Sequence, residues 1–496
     1  MLAIYKRELK SYFRSFIGFL FIAVTLFFLG LYFSVYNLMN GYPYFAYVVS
    51  SVTFLFMLTV PILTMRILAE EKRSKTDQLI LTAPVSVGGI VMGKFLALLT
   101  IFAIPVAIIC FYPLIMAQYG SVPMGEAYLS ILAYFLFGMT AIAIGLFLSS
   151  VTESQVIAAV LTFLVLFLGY MMDSICSIIS STGNLLTRLL RCFDLYTPFS
   201  NLLNGTLDVS SIVYYVSVTA LVLFLTVQSI QKRRYSMSVK NLSFSAYSTG
   251  MIAVAVALVV VVNIIMGEMP SSWTAIDMTS QKLYSLTDQT VDYVKNMQDD
   301  VTIYVLVNQD NQDTTLGQTL QRYDDLSDHI TVEYVDPTVN PMFYTQYTTG
   351  NISTNSLIVV SDKRSKVIDY NDVYESSYDF DYSTYSYNTT TTGYDGEGQI
   401  TSALDYVLND DMPKVYMTTG HNELSLSNTF TSALNKENVD YETVNLMDLD
   451  AIPDDAACLF INGATSDFSS DDKDKVIDYL DNGGKRNPWG GFNVVG

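Results

Sequence analysis

Between Arg14 and Arg66 the sequence holds no charged residue, and this stretch constrains the fold more than any motif does. A soluble core has no use for so much uninterrupted apolar surface, whereas a bilayer demands it. Crossing a hydrocarbon layer of about 30 Å takes roughly 20 apolar residues at a rise of about 1.5 Å each. Runs of that kind recur through the first half: Phe16–Tyr36, Tyr47–Met65, Phe95–Ala117, Ala127–Leu148, Val156–Met172, Ile212–Ile230 and Thr249–Met266. They predict a polytopic helical membrane bundle of about seven spans. The run after Arg14 is too long, and lacks the small-residue cleavage site, to be a signal peptide. Residues 4–14 alternate apolar and basic side chains in the manner of a helix lying in the membrane interface.

Charge divides the chain at the same place. Residues 1–267 carry 15 Lys+Arg against 9 Asp+Glu, a net of +6; residues 268–496 carry 12 against 38, a net of −26. Such asymmetry predicts two environments. Cations set the orientation. Lys6, Arg7, Lys10 and Arg14, then Arg66, Lys72, Arg73, Lys75 and Lys94, then Lys232, Arg233, Arg234 and Lys240, all fall on one side if the N-terminus is cytoplasmic. The opposite loops hold only Arg188 and Arg191. With seven spans the acidic half is then extracytoplasmic, and the protein is a multi-pass protein of the cell membrane. Asn184–Leu203, broken at Pro198, reads as a re-entrant element: too polar to cross, apolar enough to dip into the leaflet.

After the last span, short apolar strands alternate with helical segments. Strands are expected at Val301–Val307, Ile330–Val335, Ser356–Val360, Lys414–Thr418, Tyr441–Asn445 and Cys458–Asn462. Helices are expected at Ser285–Asn296, Thr315–Leu326, Gln399–Leu408, Leu426–Lys436 and Ser470–Asp481. This alternation predicts an α/β domain with a largely parallel sheet. The fold class is therefore mixed: a helical bundle over 1–240, a tether span over 241–267, an α/β subdomain over 268–370, a Tyr/Ser/Thr/Asp-rich loop over 371–398, and a second α/β subdomain over 399–496. That loop is expected to be extended surface chain, or else a sugar- or calcium-binding face.

The chemistry-bearing residues are few. Only His329 and His421 occur, no nucleophile motif appears, and four scattered cysteines form neither a disulfide framework nor a metal set. The expectation is no catalytic residue, no metal site, no cofactor bound by this chain and no nucleic-acid partner. Gly88 to Lys94 satisfies GxxxxGK, but Phe95 stands where a phosphate loop needs Ser or Thr. Thr419, Gly420, His421 and Glu423 sit between a strand and a helix, where α/β folds either bind ligands or make a capped turn. The loop Arg66–Lys94 pairs a mixed-charge cluster (Glu70, Glu71, Lys72, Arg73, Lys75, Thr76, Asp77) with an apolar patch beginning at Leu79. It is either a solvated loop or a short helix that docks on a cytoplasmic partner.

A resemblance bears on that choice. Glu70-Glu71-Lys72, Lys75-Thr76-Asp77-Gln78-Leu79, Pro84-Val85-Ser86 and Gly93-Lys94 resemble the loop signature of ABC-2-type transporter permeases. Tyr196-x-Pro198-Phe199 and the following Gly205-x-Leu207-Asp208 resemble that family's re-entrant segment and last span. The resemblance implies six spans, a second permease copy making a dimer of bundles, and a separate cytoplasmic ABC ATPase carrying ATP and Mg. Glu70 to Leu79 would be the loop coupling that ATPase to the bundle. Further on, Ile276-Asp277-Met278-Thr279, Lys282-Leu283-Tyr284-Ser285 and Thr419-Gly420-His421-x-Glu423 resemble the auxiliary G component of the gliding-motility (Gld) transporter, with Asn422 in place of a Gly. The whole then looks like an F-type permease fused to a G-type auxiliary domain. After Gly483-Gly484-Lys485 the text departs from that pattern and reads as truncated, frame-shifted or divergent. The function expected is the permease subunit of an exporter; the alternative is a surface-binding or force-transmitting membrane protein that transports nothing.

Overall fold

A computed structural model describes residues 1–77, 85–179, 187, 190–234, 242–267, 269, 274–279, 282–283, 285–307, 312–350, 352–381, 386–409 and 412–483. The chain divides into two compact units, Met1–Ser285 and Leu286–Gly496.

The first unit is helical. α1 (Leu2–Arg14) precedes α2 (Phe16–Phe33), which continues through a π-helical turn at Ser34–Met39. α3 (Ala46–Thr64), the short α4 (Ala69–Arg73), α5 (Val87–Ile109) and α6 (Tyr112–Met116) follow. Then come α7 (Met124–Val151), α8 (Gln155–Tyr170), α9 (Met172–Ile179) and α10 (Thr197–Leu203). A three-residue strand, β1 (Thr206–Asp208), leads into α11 (Val209–Arg234), and α12 (Leu242–Gly267) is followed by β2 (Ala275–Asp277). Among the described residues six helical stretches are long and apolar enough to cross a membrane: Phe16–Met39, Ala46–Arg73, Val87–Met116, Met124–Val151, Val209–Lys232 and Thr249–Gly267. The expected fifth span is shorter, 16 residues in α8, and is prolonged by α9 beyond a turn at Met171.

α7 is the axis of this unit. Phe56 of α3, Phe102 of α5 and Tyr134 of α7 bury their rings against one another, with centroids 5.0 to 5.4 Å apart. Gly138 and Gly145 of α7 admit this closeness: a methyl group at the first would overlap the Phe102 ring, and at the second the Thr64 side chain. In lipid, burial of apolar surface does not by itself hold helices together; close packing and interhelical hydrogen bonds do. Thr140 of α7 accordingly donates to Tyr215 O of α11 at 3.2 Å, and Asn263 of α12 donates to Ser217 of α11 at 2.9 Å.

The second unit is α/β. α13 (Asp288–Lys295), β3 (Val301–Leu306), α14 (Thr314–Leu326), β4 (Ile330–Val335), β5 (Ser356–Val360) and β6 (Ser365–Ile368) open it. Its first sheet has the order β4-β3-β5-β6. Here the expectation of a largely parallel sheet is corrected: only β3 and β4 are parallel, while β5 runs antiparallel to both β3 and β6. The short connection 361–364 explains the β5–β6 pair, since a tight turn can join antiparallel strands only, and a parallel pair needs a crossover. A single turn, α15 (Tyr370–Val373), precedes β7 (Tyr374–Asp381) and β8 (Ser386–Tyr394). The stretch expected as an extended loop is thus an antiparallel hairpin. α16 (Gly396–Leu408) returns over the first sheet and buries Ile400, Leu404 and Val407 in its core. The second sheet holds β9 (Lys414–Thr419), β10 (Asp440–Asn445) and β11 (Ala456–Phe460) in the order β10-β9-β11, all parallel. α17 (Asn428–Lys436) and α18 (Ser470–Asp481) complete it, each capped by a serine at its start, Ser427 and Ser469.

Candidate functional site

At the end of the first unit formed by the C-terminus of α3 and the start of α5, a lysine is buried completely. Lys94 lies two turns into α5 with no solvent exposure. An ammonium has three protons to give, and unpaired burial of its charge would cost several kcal/mol. All three are used: Lys94 Nζ lies 3.1 Å from Glu8 Oε1, 2.9 Å from Glu71 Oε2, and donates to Ile67 O at 3.0 Å. Arg7 closes the set, pairing with Glu8 and with Glu71 at 2.9 Å. Two carboxylates and two cations balance, so the cluster is neutral as a whole. Burial works against ionisation of Glu8, but the Lys94 and Arg7 charges outweigh it and hold the carboxyl below its ordinary value.

This cluster ties three segments that are far apart in sequence. Tyr12 of α1 donates to Leu63 O at 2.9 Å, anchoring α1 to the end of α3. Ser149 of α7 accepts from the backbone N–H groups of Leu68 and Ala69 at 3.2 and 3.1 Å, and Lys72 donates to Val151 O at 2.7 Å. The turn after α3 is therefore fixed to α1, α5 and α7. Beside it opens a cleft of about 290 Å³, walled by Arg7 and Ser11 of α1, by Ser15 just after it, and by Arg66, Glu70 and Ser74 opposite.

The expected coupling residues separate accordingly. Glu71 turns inward to Lys94, Glu70 pairs with Arg66, and Lys72 caps the end of α7. Arg73, Lys75 and Thr76 are exposed, with Lys75 in the left-handed region at φ 57°. Asp77 is half-buried, and Leu79 lies outside the described residues, as does the apolar patch it begins. Sequence reasoning missed Glu8 and took Lys94 for one loop cation among many. The available signals were an acid alone in a basic helix and a lysine set inside an apolar run. The GxxxxGK segment is helix from Val87 onward, opened by Ser86, which accepts from Gly89 N at 3.2 Å.

In the second unit, Thr419, Gly420, His421 and Glu423 do come together, in the turn after β9. His421 is buried, its ring stacked on Phe468 at 4.1 Å and set between two buried carboxylates: Nδ1 is 3.6 Å from Glu423 Oε1, and Nε2 is 3.4 Å from Asp472 Oδ2. Gly420 takes φ +109°, which favours glycine there. Glu423 Oε2 accepts from His421 N at 2.7 Å. Burial opposes the charge on Glu423, but backbone N–H donors and His421 hold it below the ordinary value; Asp472 is held low first by the Ser469 hydroxyl and then by Lys475. The triad pins the β9 turn to the start of α18. Among the described residues no group of three His, Cys, Asp or Glu is placed to hold a metal ion.

With this geometry in view, comparison with protein families places the first unit. Residues 32–230 match the model of the ABC-2 family transporter proteins. The N-terminal half carries an ABC-2 transporter membrane domain. The match takes in Glu71, Lys94 and the Ser149 contact but leaves α1, with Arg7 and Glu8, outside it. Residues 280–373 match a domain of unknown function, DUF7088, which covers β3 to β6. No curated protein matches the chain. The matched ABC-2 membrane domain over residues 32–230 and the six apolar helical stretches among the described residues support a multi-pass membrane protein with a permease-type domain in its N-terminal part.

Proposed function

We propose that this chain is the permease subunit of an ABC exporter of the gliding-motility type, driven by a separate ATPase that docks on the turn Arg66–Asp77. The supporting observation is the buried Lys94 tie. It fixes the exposed Arg73, Lys75 and Thr76 to α1, α5 and α7 together, so a push on that turn reaches three helices at once. In this reading the outer half is an auxiliary domain without catalysis, and two permease copies pair side by side in the membrane as a dimer of bundles.

Orientation follows from charge. If α8 crosses, the cations of residues 6–14, 66–94 and 232–240 share the cytoplasmic side; if it does not, the last group is stranded outside. Sixteen helical residues span about 24 Å, short of about 30 Å, and α9 supplies the difference. The acidic half then lies outside the cytoplasm.

The docking turn is tested by purifying the full chain from its own host membranes. Wild type is expected to bring down an ATPase subunit, and the double reversal Arg73→Glu/Lys75→Glu to lose it. An ATPase retained by the reversed variant would move the dock elsewhere.

A further inference from the structure

α1 holds the bundle with only part of its circumference. Glu8 and Tyr12 are buried, and the Tyr5 hydroxyl lies 3.1 Å from that of Thr100. Gly93 lets the helix come close: a Cβ there would stand 3.0 Å from Met1 O and 3.3 Å from the Ile4 side chain. Lys6, Lys10 and Arg14 lie off that face, and all three are exposed. They recur every four residues, which sets them one turn apart on a single stripe about 12 Å long. Arg7 spends its charge on Glu8 and Glu71, but among the described residues no acid pairs with these three.

The chain that follows sets the depth of this stripe. Ser15 is extended, at φ −94° and ψ 154°, so α1 ends there and α2 starts in a new direction. Gly18 admits the sharp turn, since a Cβ on it would stand 2.8 Å from Tyr12 O. Phe16 and Phe19 open a helix apolar enough to cross a membrane, and both rings are exposed. Phe19 meets Phe13 of α1 edge-on at 5.6 Å, which brings α1 level with the first turn of that span. Exposed Leu2, with Leu9 and Phe13, lies three or four residues from Lys6 and Lys10, on the neighbouring stripe. Apolar groups beside unpaired cations on one helix match the boundary between acyl chains and headgroups.

We propose that the Lys6, Lys10 and Arg14 stripe binds the headgroups of anionic phospholipids in the leaflet beside α1. Charge complementarity selects the occupant: a zwitterionic headgroup offers no net charge to three unpaired cations. A soluble anion would leave the exposed Leu2, Phe16 and Phe19 without a partner. Cations that only orient a span need no common face, whereas these share one on a helix docked against the bundle. The inference rests on the apolar spans and would stand if the ATPase docked elsewhere.

The test uses the full chain in lipid nanodiscs, with Trp273→Phe and Trp489→Phe, and Phe16→Trp as the reporter. Quenching of that tryptophan by dibrominated phosphatidylglycerol is compared with quenching by dibrominated phosphatidylcholine at equal content. The anionic lipid is expected to be favoured about fivefold at low salt, with the preference fading as ionic strength rises. Lys6→Gln/Lys10→Gln/Arg14→Gln should erase the preference yet leave quenching by phosphatidylcholine intact, which shows that position 16 still meets lipid. A second reporter, Phe111→Trp beyond the far end of α5, should show no preference. Four results would each overturn the proposal: no preference at position 16, one that survives the triple substitution, one equal at both reporters, or one abolished by inorganic phosphate at constant ionic strength.

Discussion

At the scale of single residues, the membrane half turns on one buried charge. Lys94→Met keeps the apolar length of the side chain and removes the ammonium, leaving Glu8 and Glu71 facing each other with only Arg7 between. Breaking a buried pair from one side costs about 3 kcal/mol or more. Thermal unfolding of the purified chain should show that loss, and adding Glu8→Gln should recover part of it; a variant as stable as wild type would mean the cluster carries no charge. The acidic half has its own buried charges. Glu423 and Asp472 both have lowered pKa values, so they favour the folded state above their ordinary values of 4.5 and 3.8. Their contribution is lost as pH falls through the lowered folded values. Cys458, in β11 beside β9, reports that opening, and its labelling by dithiodipyridine should accelerate below pH 4 in wild type. It should accelerate at higher pH in His421→Ala, which loses the ring between the two acids; identical profiles would remove the triad from the account.

At the scale of elements, the sequence was most informative where one period dominated. The strands Ile330–Val335 and Ser356–Val360 and the helix Ser470–Asp481 lie where their patterns put them, because alternation and a Ser-Asp-Asp start are local signals. The β7–β8 hairpin was not legible, since its Tyr, Ser and Thr residues read as polar low complexity and its register depends on a partner strand. β1 and β2 were invisible for a different reason: each is three residues long, and their pairing spans two membrane helices. The Lys94 site was half legible: Glu71 and the cations were visible, but Glu8 was not, nor which of the charges turned inward. α8 carries the sharpest prediction at this scale. In a cysteine-free background, a membrane-impermeant maleimide applied outside should label Asp173→Cys and spare Glu153→Cys; labelling of both from one side would make α8 a dip rather than a span. A weaker contact holds α12. Asn263→Leu, losing its bond to Ser217, should cost about 0.6 kcal/mol, raising deuterium uptake in 249–267 without unfolding the unit.

At the scale of the whole molecule, a membrane half of net +6 is joined to an acidic half of net −26. Energy is proposed to enter at the Lys94 end of the first unit. Residues 32–230 of the first unit match the ABC-2 transporter model, and what drives that domain is the central claim. The most direct measurement is disulfide-forming cross-linking in native membranes, again in a cysteine-free background, with Lys75→Cys at one end of α3 and Tyr42→Cys at the other. The account predicts that Lys75→Cys alone cross-links to an ATPase subunit, with a yield that changes when ATP and vanadate are added. Cross-linking of Tyr42→Cys to that subunit, or of neither position, would contradict it.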